Sequence, residues 1–191
     1  MRLFAGIELN DEARSECAAA TRRLSDAAFE ARYERAVNLH VTLAFLGNVA
    51  PEGLQAVKAV LRDTAGEVIP FDITLDMVGA FPNERRPRVL YVGSRNQGGA
   101  FRNLAHRLRK RYAQLNFTFD DDAVAHVTIA RVKGGSSRPL PRIGVGPVSL
   151  RVAALTLFES VSEERGTRYA VLLRAPLAVT ASGTRASNVT E

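Results

Sequence analysis

The chain has no run approaching the roughly 20 consecutive apolar residues that a membrane-spanning helix requires. Its start, Met1 to Glu8, lacks a signal-peptide layout, because Glu8 interrupts the apolar stretch. A cytoplasmic protein with no membrane partner is therefore expected. Cys17 is the single cysteine, so no internal disulfide can form, in keeping with a reducing compartment. Cys17 also falls on the apolar stripe of a predicted helix, a poor setting for a nucleophile. There is no Gly-x-x-x-x-Gly-Lys, no Gly-x-Ser-x-Gly and no paired cysteine ligands. Those absences set aside nucleotide-loop, serine-hydrolase and zinc-ribbon chemistry. Histidine is scarce as well, at three residues in 191.

What is present is an ordinary globular composition, 46% hydrophobic and 24% charged. A single domain over residues 1–179 is expected, acting as a monomer, with the small polar residues 180–191 forming a disordered tail. Lys and Arg outnumber Asp and Glu by 26 to 20, a formal charge of +6. That balance favours a polyanionic partner, nucleic acid ahead of membrane, although an arginine-rich genome would produce the same excess.

Hydrophobic periodicity orders the elements. Leu3, Ala5, Ile7 and Leu9 mark a strand, and Asn10 caps a helix from about Asp11 to Phe29 whose buried stripe is Ala13, Cys17, Ala20, Leu24 and Ala28. A strand over Leu39–Leu46 and a helix opened by Pro51 follow, the latter with Leu54, Val57 and Leu61 inward. A strand over Phe71–Val78, a turn at Phe81–Glu84 and a partner over Arg88–Gly93 make a hairpin with a basic loop. Next come a helix over Ala100–Leu115, a strand over Ala123–Val132, a mobile Gly- and Ser-rich loop over Gly134–Pro139, and closing strands over Val148–Glu159 and Thr167–Leu173. Several connections are too short for crossover helices, which points to an α+β fold with antiparallel sheet.

The most informative feature is an internal echo. His40-Val41-Thr42-Leu43-Ala44 and His126-Val127-Thr128-Ile129-Ala130 differ only by Leu against Ile and start 86 residues apart. Each copy falls on a predicted strand preceded by a helix, which suggests two similar lobes facing each other. Strand alternation puts His40, Thr42 and Ala44 on one face and Val41, Leu43 and Phe45 on the other. The same rule groups His126 with Thr128 and sends Val127 and Ile129 to the core. If the polar faces meet, two imidazoles and two hydroxyls surround one small space, with Ala44 and Ala130 leaving room for a ligand. A neutral imidazole can take a proton from water while a protonated one supplies a proton to a leaving oxygen, and threonine hydroxyls can donate to phosphoryl oxygens. Such a set suits hydrolysis of a strained cyclic phosphodiester with no metal and no cofactor. A duplicated structural strand with backbone-satisfied histidines is the bland alternative.

These motifs, with Arg2-Leu3-Phe4-Ala5-Gly6-Ile7, Asn38-Leu39 before the first histidine, Phe45-Leu46-Gly47 after it, Gly79-Ala80-Phe81-Pro82, and Leu155 to Ser160, resemble the 2H phosphoesterase superfamily, and within it the RNA 2′,3′-cyclic phosphodiesterases once called 2′-5′ RNA ligases. The resemblance spans nearly the whole chain. It implies a bilobal fold, two antiparallel sheets facing across a central cleft with helices outside, and the two motifs lining that cleft. It also implies His40 as general acid for the departing 3′ oxygen, His126 as general base for water, a 2′-phosphate product, and Thr42 and Thr128 holding the phosphate. The near-symmetry of the site leaves the division between the two histidines open. Arg131 is carried over as a phosphate contact, but simple alternation points it away from His126. That contact therefore requires a bulge, and a structural salt bridge is the competing reading. Ala125 stands where the family usually has proline. The implied partner is RNA with 2′,3′-cyclic phosphate ends, or cyclic nucleotides.

His106 reads as a surface residue on a basic helix, and Asp120-Asp121-Asp122 as a solvated turn, since adjacent acids do not share a strand face. RNA ligation at the same site and a non-catalytic RNA-binding module are the alternatives to hydrolysis.

Overall fold

The computed structural model describes residues 1–120, 122–134, 138–164 and 166–178. The proposed tail 180–191, the middle of the Gly134–Pro139 loop and Asp121 lie outside the described residues.

In chain order the elements are β1 (Arg2–Glu8), α1 (Asp11–Asp26), β2 (Arg32–Tyr33), β3 (His40–Asn48), α2 (Leu54–Ala65), β4 (Phe71–Leu75), β5 (Met77–Phe81), β6 (Val89–Gly93), α3 (Gly99–Ala113), β7 (His126–Arg131), β8 (Val148–Val152), β9 (Ala154–Glu163) and β10 (Gly166–Pro176). All strand pairs are antiparallel. The larger, eight-stranded sheet runs β10-β9-β1-β3-β7-β6-β5 with β2 beside β7, and β4 pairs with β8 in a second sheet of two strands. The fold is α+β with two antiparallel sheets. Its two histidine strands are neighbours in the larger sheet and join through one residue pair, Val41 opposite Val127.

The predicted Phe71–Val78 and Val148–Glu159 strands are each two strands. In the first, Asp76 leaves the ladder: its N–H donates to the Gly93 carbonyl and its carboxylate accepts from the Arg95 N–H at 2.9 Å. In the second, the chain turns at Ala153. Both runs thereby pass from the small sheet to the large one, so apolar residues continue across the break and hide it from a periodicity count.

Asn10 Oδ1 accepts from the Ala13 N–H at 2.9 Å, as its place before α1 predicts. The helix stops at Asp26, not Phe29. Ala28 adopts a left-handed φ of 51°, its N–H donates to Ser25, and the Phe29 N–H reaches back to the Leu24 carbonyl. Ala28 is consequently exposed, and Phe29 takes the buried place expected of it. Pro51 opens a short 3-10 turn that leads into α2. Helix α1 packs on β7 and β8, whereas α2 and α3 pack on each other and cover β3, β9 and β10. Cys17 is fully buried on the α1 stripe, where burial pushes its thiol up to about 12. Among the described residues no helix is long and apolar enough to cross a membrane.

Candidate active site

Both histidine strands carry the same burial rhythm. His40 and Thr42 are half-buried while Val41, Leu43 and Ala44 are buried and Phe45 is exposed, and the series repeats at His126, Thr128, Val127, Ile129, Ala130 and Arg131. Strict alternation fails at the fifth residue in each copy because both strands bulge at the fourth. On β1, Ala5 and Gly6 face Ala44 and Thr42, which leaves Leu43 without an opposite number. On β6, Leu90 and Tyr91 face Ala130 and Thr128, which leaves Ile129 extra.

The bulges change what lines the site. Ala44 and Ala130, expected beside the histidines, are fully buried, so they do not make room for a ligand. Phe45, expected on the core face, instead turns to the histidine side. Arg131 turns the same way through the bulge that its contact required. A cavity of about 420 Å³ is lined by His40, Thr42, Phe45, His126, Thr128 and Arg131, with Phe4, Glu34 and Tyr169 on its other walls. All five residues singled out from the sequence thus border one space. Arg131 also has the structural contact of the competing reading, since its Nε–H donates to Glu34 Oε1 at 3.3 Å.

Each imidazole is tethered at Nδ1 to the carbonyl two residues earlier: His40 to Asn38 at 2.6 Å and His126 to Val124 at 2.8 Å. A carbonyl only accepts, so Nδ1 carries a proton in both rings and Nε2 is the position that gains or loses one. In neutral His40, Nε2 accepts from the Thr42 hydroxyl at 3.0 Å.

The tethers have supports that the sequence did not disclose. Asn38 is buried, and its side-chain N–H donates to the Thr167 carbonyl at 2.8 Å, fixing the turn before β3 to β10. Before β7, the Ala125 N–H donates to Gln97 Oε1 and Gln97 Nε2 donates to the Ser94 carbonyl, both at 2.6 Å. A lone glutamine in a loop gives no local signal of such a role. Rings complete the setting: Phe4 and Tyr169 lie 4.7 and 5.1 Å from the His40 ring, and Phe81 and Tyr91 lie 5.1 and 5.4 Å from His126. Close packing makes glycine necessary behind both. A Cβ on Gly6 would sit 2.6 Å from the Val41 carbonyl, and one on Gly79 would sit 2.6 Å from the Tyr91 ring.

This environment lowers the His40 pKa to about 4. Burial is the main cause, opposed by the Asn38 carbonyl and assisted by the positive charges of His126 and Arg131. His106 is exposed on α3, as expected. Among the described residues, no group of three or more His, Cys, Asp or Glu side chains is arranged to hold a metal ion.

Known proteins resemble this chain in sequence and in fold. The LigT like phosphoesterase family matches residues 7–91. An RNA 2′,3′-cyclic phosphodiesterase of Archaeoglobus fulgidus is 36% identical over 133 residues, 70% of this chain and 73% of the relative. One of Methanothermobacter thermautotrophicus is 30% identical over 177 residues, 88% of this chain and 95% of the relative. The crystal structure of E. coli LigT complexed with NADP+ superposes with a TM-score of 0.78 at 28% identity, covering 93% of this chain and 98% of that one. The chain belongs to the LigT-like family of 2H phosphoesterases.

Proposed function

We propose that this protein is an RNA 2′,3′-cyclic phosphodiesterase in which His40 and His126 move the two protons of hydrolysis. The observation that carries this reading is the pair of Nδ1-tethered imidazoles on one cavity, each presenting Nε2 as its working nitrogen. The names of the two archaeal relatives supply the substrate class.

In the proposed reaction the cyclic phosphate sits among Thr42, Thr128 and Arg131, whose donors meet the charge that builds on its oxygens. His126 Nε2 takes a proton from water as the water oxygen bonds to phosphorus. The bond from phosphorus to the 3′ oxygen breaks, and the Nε2 proton of His40 passes to that oxygen. One water is consumed, the product carries a 2′-phosphomonoester and a 3′-hydroxyl, and the imidazoles return to their starting states through solvent.

A His40 with a pKa near 4 is neutral in the empty pocket at neutral pH, so its role as acid depends on the substrate. The bound phosphate anion offsets the charges of Arg131 and His126, which raises the pKa and lets Nε2 hold its proton. Titration of the His40 imidazole by NMR, with and without a nucleoside 3′-phosphate, tests this step. An upward shift on binding supports His40 as acid, whereas an unmoved midpoint assigns it to the water and His126 to the leaving oxygen.

The activity itself is tested by turnover of a 2′,3′-cyclic nucleotide and of an RNA with a cyclic-phosphate end, in excess chelator. The native chain is compared with His40→Ala and His126→Ala. Hydrolysis to a 2′-phosphate, lost in either variant, is the expected result. Absence of hydrolysis by the native chain rejects the reading and turns attention to ligation or to RNA binding alone.

A further inference from the structure

The catalytic pocket opens sideways. A cavity of about 350 Å³ shares Thr42, Phe45 and His126 with it and reaches Arg109 and Phe119. That cavity in turn shares Arg109, Thr118 and Phe119 with a groove of about 1110 Å³ along α3. The groove is more than twice the size of the pocket, at 1110 against 420 Å³.

Its two walls differ in chemistry. On one, Arg102, His106, Arg109 and Lys110 follow at helical spacing and share a side of α3. On the other, the segment leading to β7 presents half-buried Phe117 and Phe119 together with Asp120 and Asp122. Arg109 is a structural member: its Nε–H donates to the Leu43 carbonyl at 2.7 Å, and its guanidinium lies over the Phe119 ring at 5.4 Å from the centroid. It thereby fastens the groove to the bulge that shapes the His40 strand. Arg102 and Lys110 are exposed on the same face.

We infer that this groove holds the body of the RNA strand whose cyclic-phosphate end lies between His40 and His126, with Arg102 and Lys110 facing its phosphates and Phe117 and Phe119 receiving its bases. The inference rests on the proposed activity for the identity of that end. The division of charge orients the strand. Phosphates of the strand are repelled by Asp120 and drawn to α3, which turns the bases to the other wall. There the rings stack on them and the carboxylates accept from exocyclic amines. A mononucleotide occupies the pocket and gains nothing from α3.

The test compares the native chain with an Arg102→Glu/Lys110→Glu double variant in two measurements. One is kcat/KM for a 2′,3′-cyclic mononucleotide and for a short RNA with a cyclic-phosphate end. The other is the Kd of a fluorescent single-stranded RNA carrying a 3′-phosphate. The native chain is expected to favour the RNA by about tenfold or more in kcat/KM, and the double variant to lose that preference and bind RNA about tenfold more weakly. The slope of log Kd against log salt should fall by about 1.4, at about 0.7 for each single-strand phosphate that is no longer neutralised. Mononucleotide turnover should be retained, which shows that the pocket and fold are intact. An unchanged RNA preference and Kd in the variant, or a native chain that treats both substrates alike, overturns the groove. If the native chain hydrolyses neither substrate yet RNA binding still falls in the variant, the groove stands and the proposed activity fails.

Discussion

The His40 and His126 halves of the pocket are built from pentapeptides that differ only by Leu43 against Ile129, with the same bulge and the same tether to the carbonyl two residues back, yet they are not chemically alike. After the bulge, one strand presents the Phe45 ring and the other the Arg131 guanidinium. The first half is closed in by Phe4, Phe158 and Tyr169 and engages Thr42 at Nε2. The second rests on Phe81 and Tyr91. Repetition therefore supplies two equivalently held imidazoles, and the unrepeated surroundings make them different. One imidazole thus stands among aromatic rings and the other beside the ion-paired Arg131 and Glu34.

Four changes would break or sharpen this comparison. The largest effect is expected from His40→Ala and His126→Ala, each lowering kcat by about 10² to 10⁴ if each imidazole transfers one proton. A double variant no worse than either single would show that they act as a unit. Markedly unequal single losses would show that one half does most of the work.

Next is the pH dependence of stability. His40 has its folded pKa lowered to about 4 from a reference of 6.5, so the unfolded chain binds its proton first as pH falls. Its contribution is complete above pH about 6.5, declines as pH falls towards 4, and amounts to at most about 3 kcal/mol. Denaturant midpoints between pH 7 and 4 should show that decline, and His40→Gln should flatten it. A native curve that matches the His40→Gln curve would contradict the burial of this imidazole.

Smaller effects are expected behind the rings. Gly6→Ala drives a methyl into the backbone oxygen of Val41, which has little freedom to yield, whereas Gly79→Ala meets the Tyr91 side chain. Both should destabilise by about 1–3 kcal/mol, Gly6→Ala by more. Equal losses in urea melts would mean that the Tyr91 ring is held as firmly as backbone. The smallest effect is Gln97→Ala, which removes the acceptor of the Ala125 N–H and should cost about 1 kcal/mol. With a cyclic mononucleotide as substrate it should lower kcat more than it raises KM, since it loosens the approach to His126, whereas RNA would also meet Gln97 as part of the groove along α3. A change confined to KM would show that Gln97 shapes binding instead.

The sequence disclosed which polar residues border the pocket better than it disclosed the rest of its walls. His40, Thr42, His126 and Thr128 were legible because a repeat is a local pattern, and alternation needs only the strand itself. The bulges at Leu43 and Ile129 were not, because they are set by the register of β1 and β6, strands distant in the chain. Their effect was to exchange Ala44 and Ala130 for Phe45 and Arg131 as lining residues. The breaks at Asp76 and Ala153 escaped for a related reason: both flanking strands are apolar, and which sheet each joins is decided by its partner. Asn38 and Gln97 act through hydrogen bonds to elements far along the chain, and no spacing rule anticipates such a bond.

The rung that pairs Val41 with Val127 has a mechanical consequence. The imidazoles of His40 and His126 each stand one residue from that rung, so the spacing of their strands at the pocket is gauged by backbone pairing there. A displacement of either strand at this rung is passed to both imidazoles through one intervening residue each.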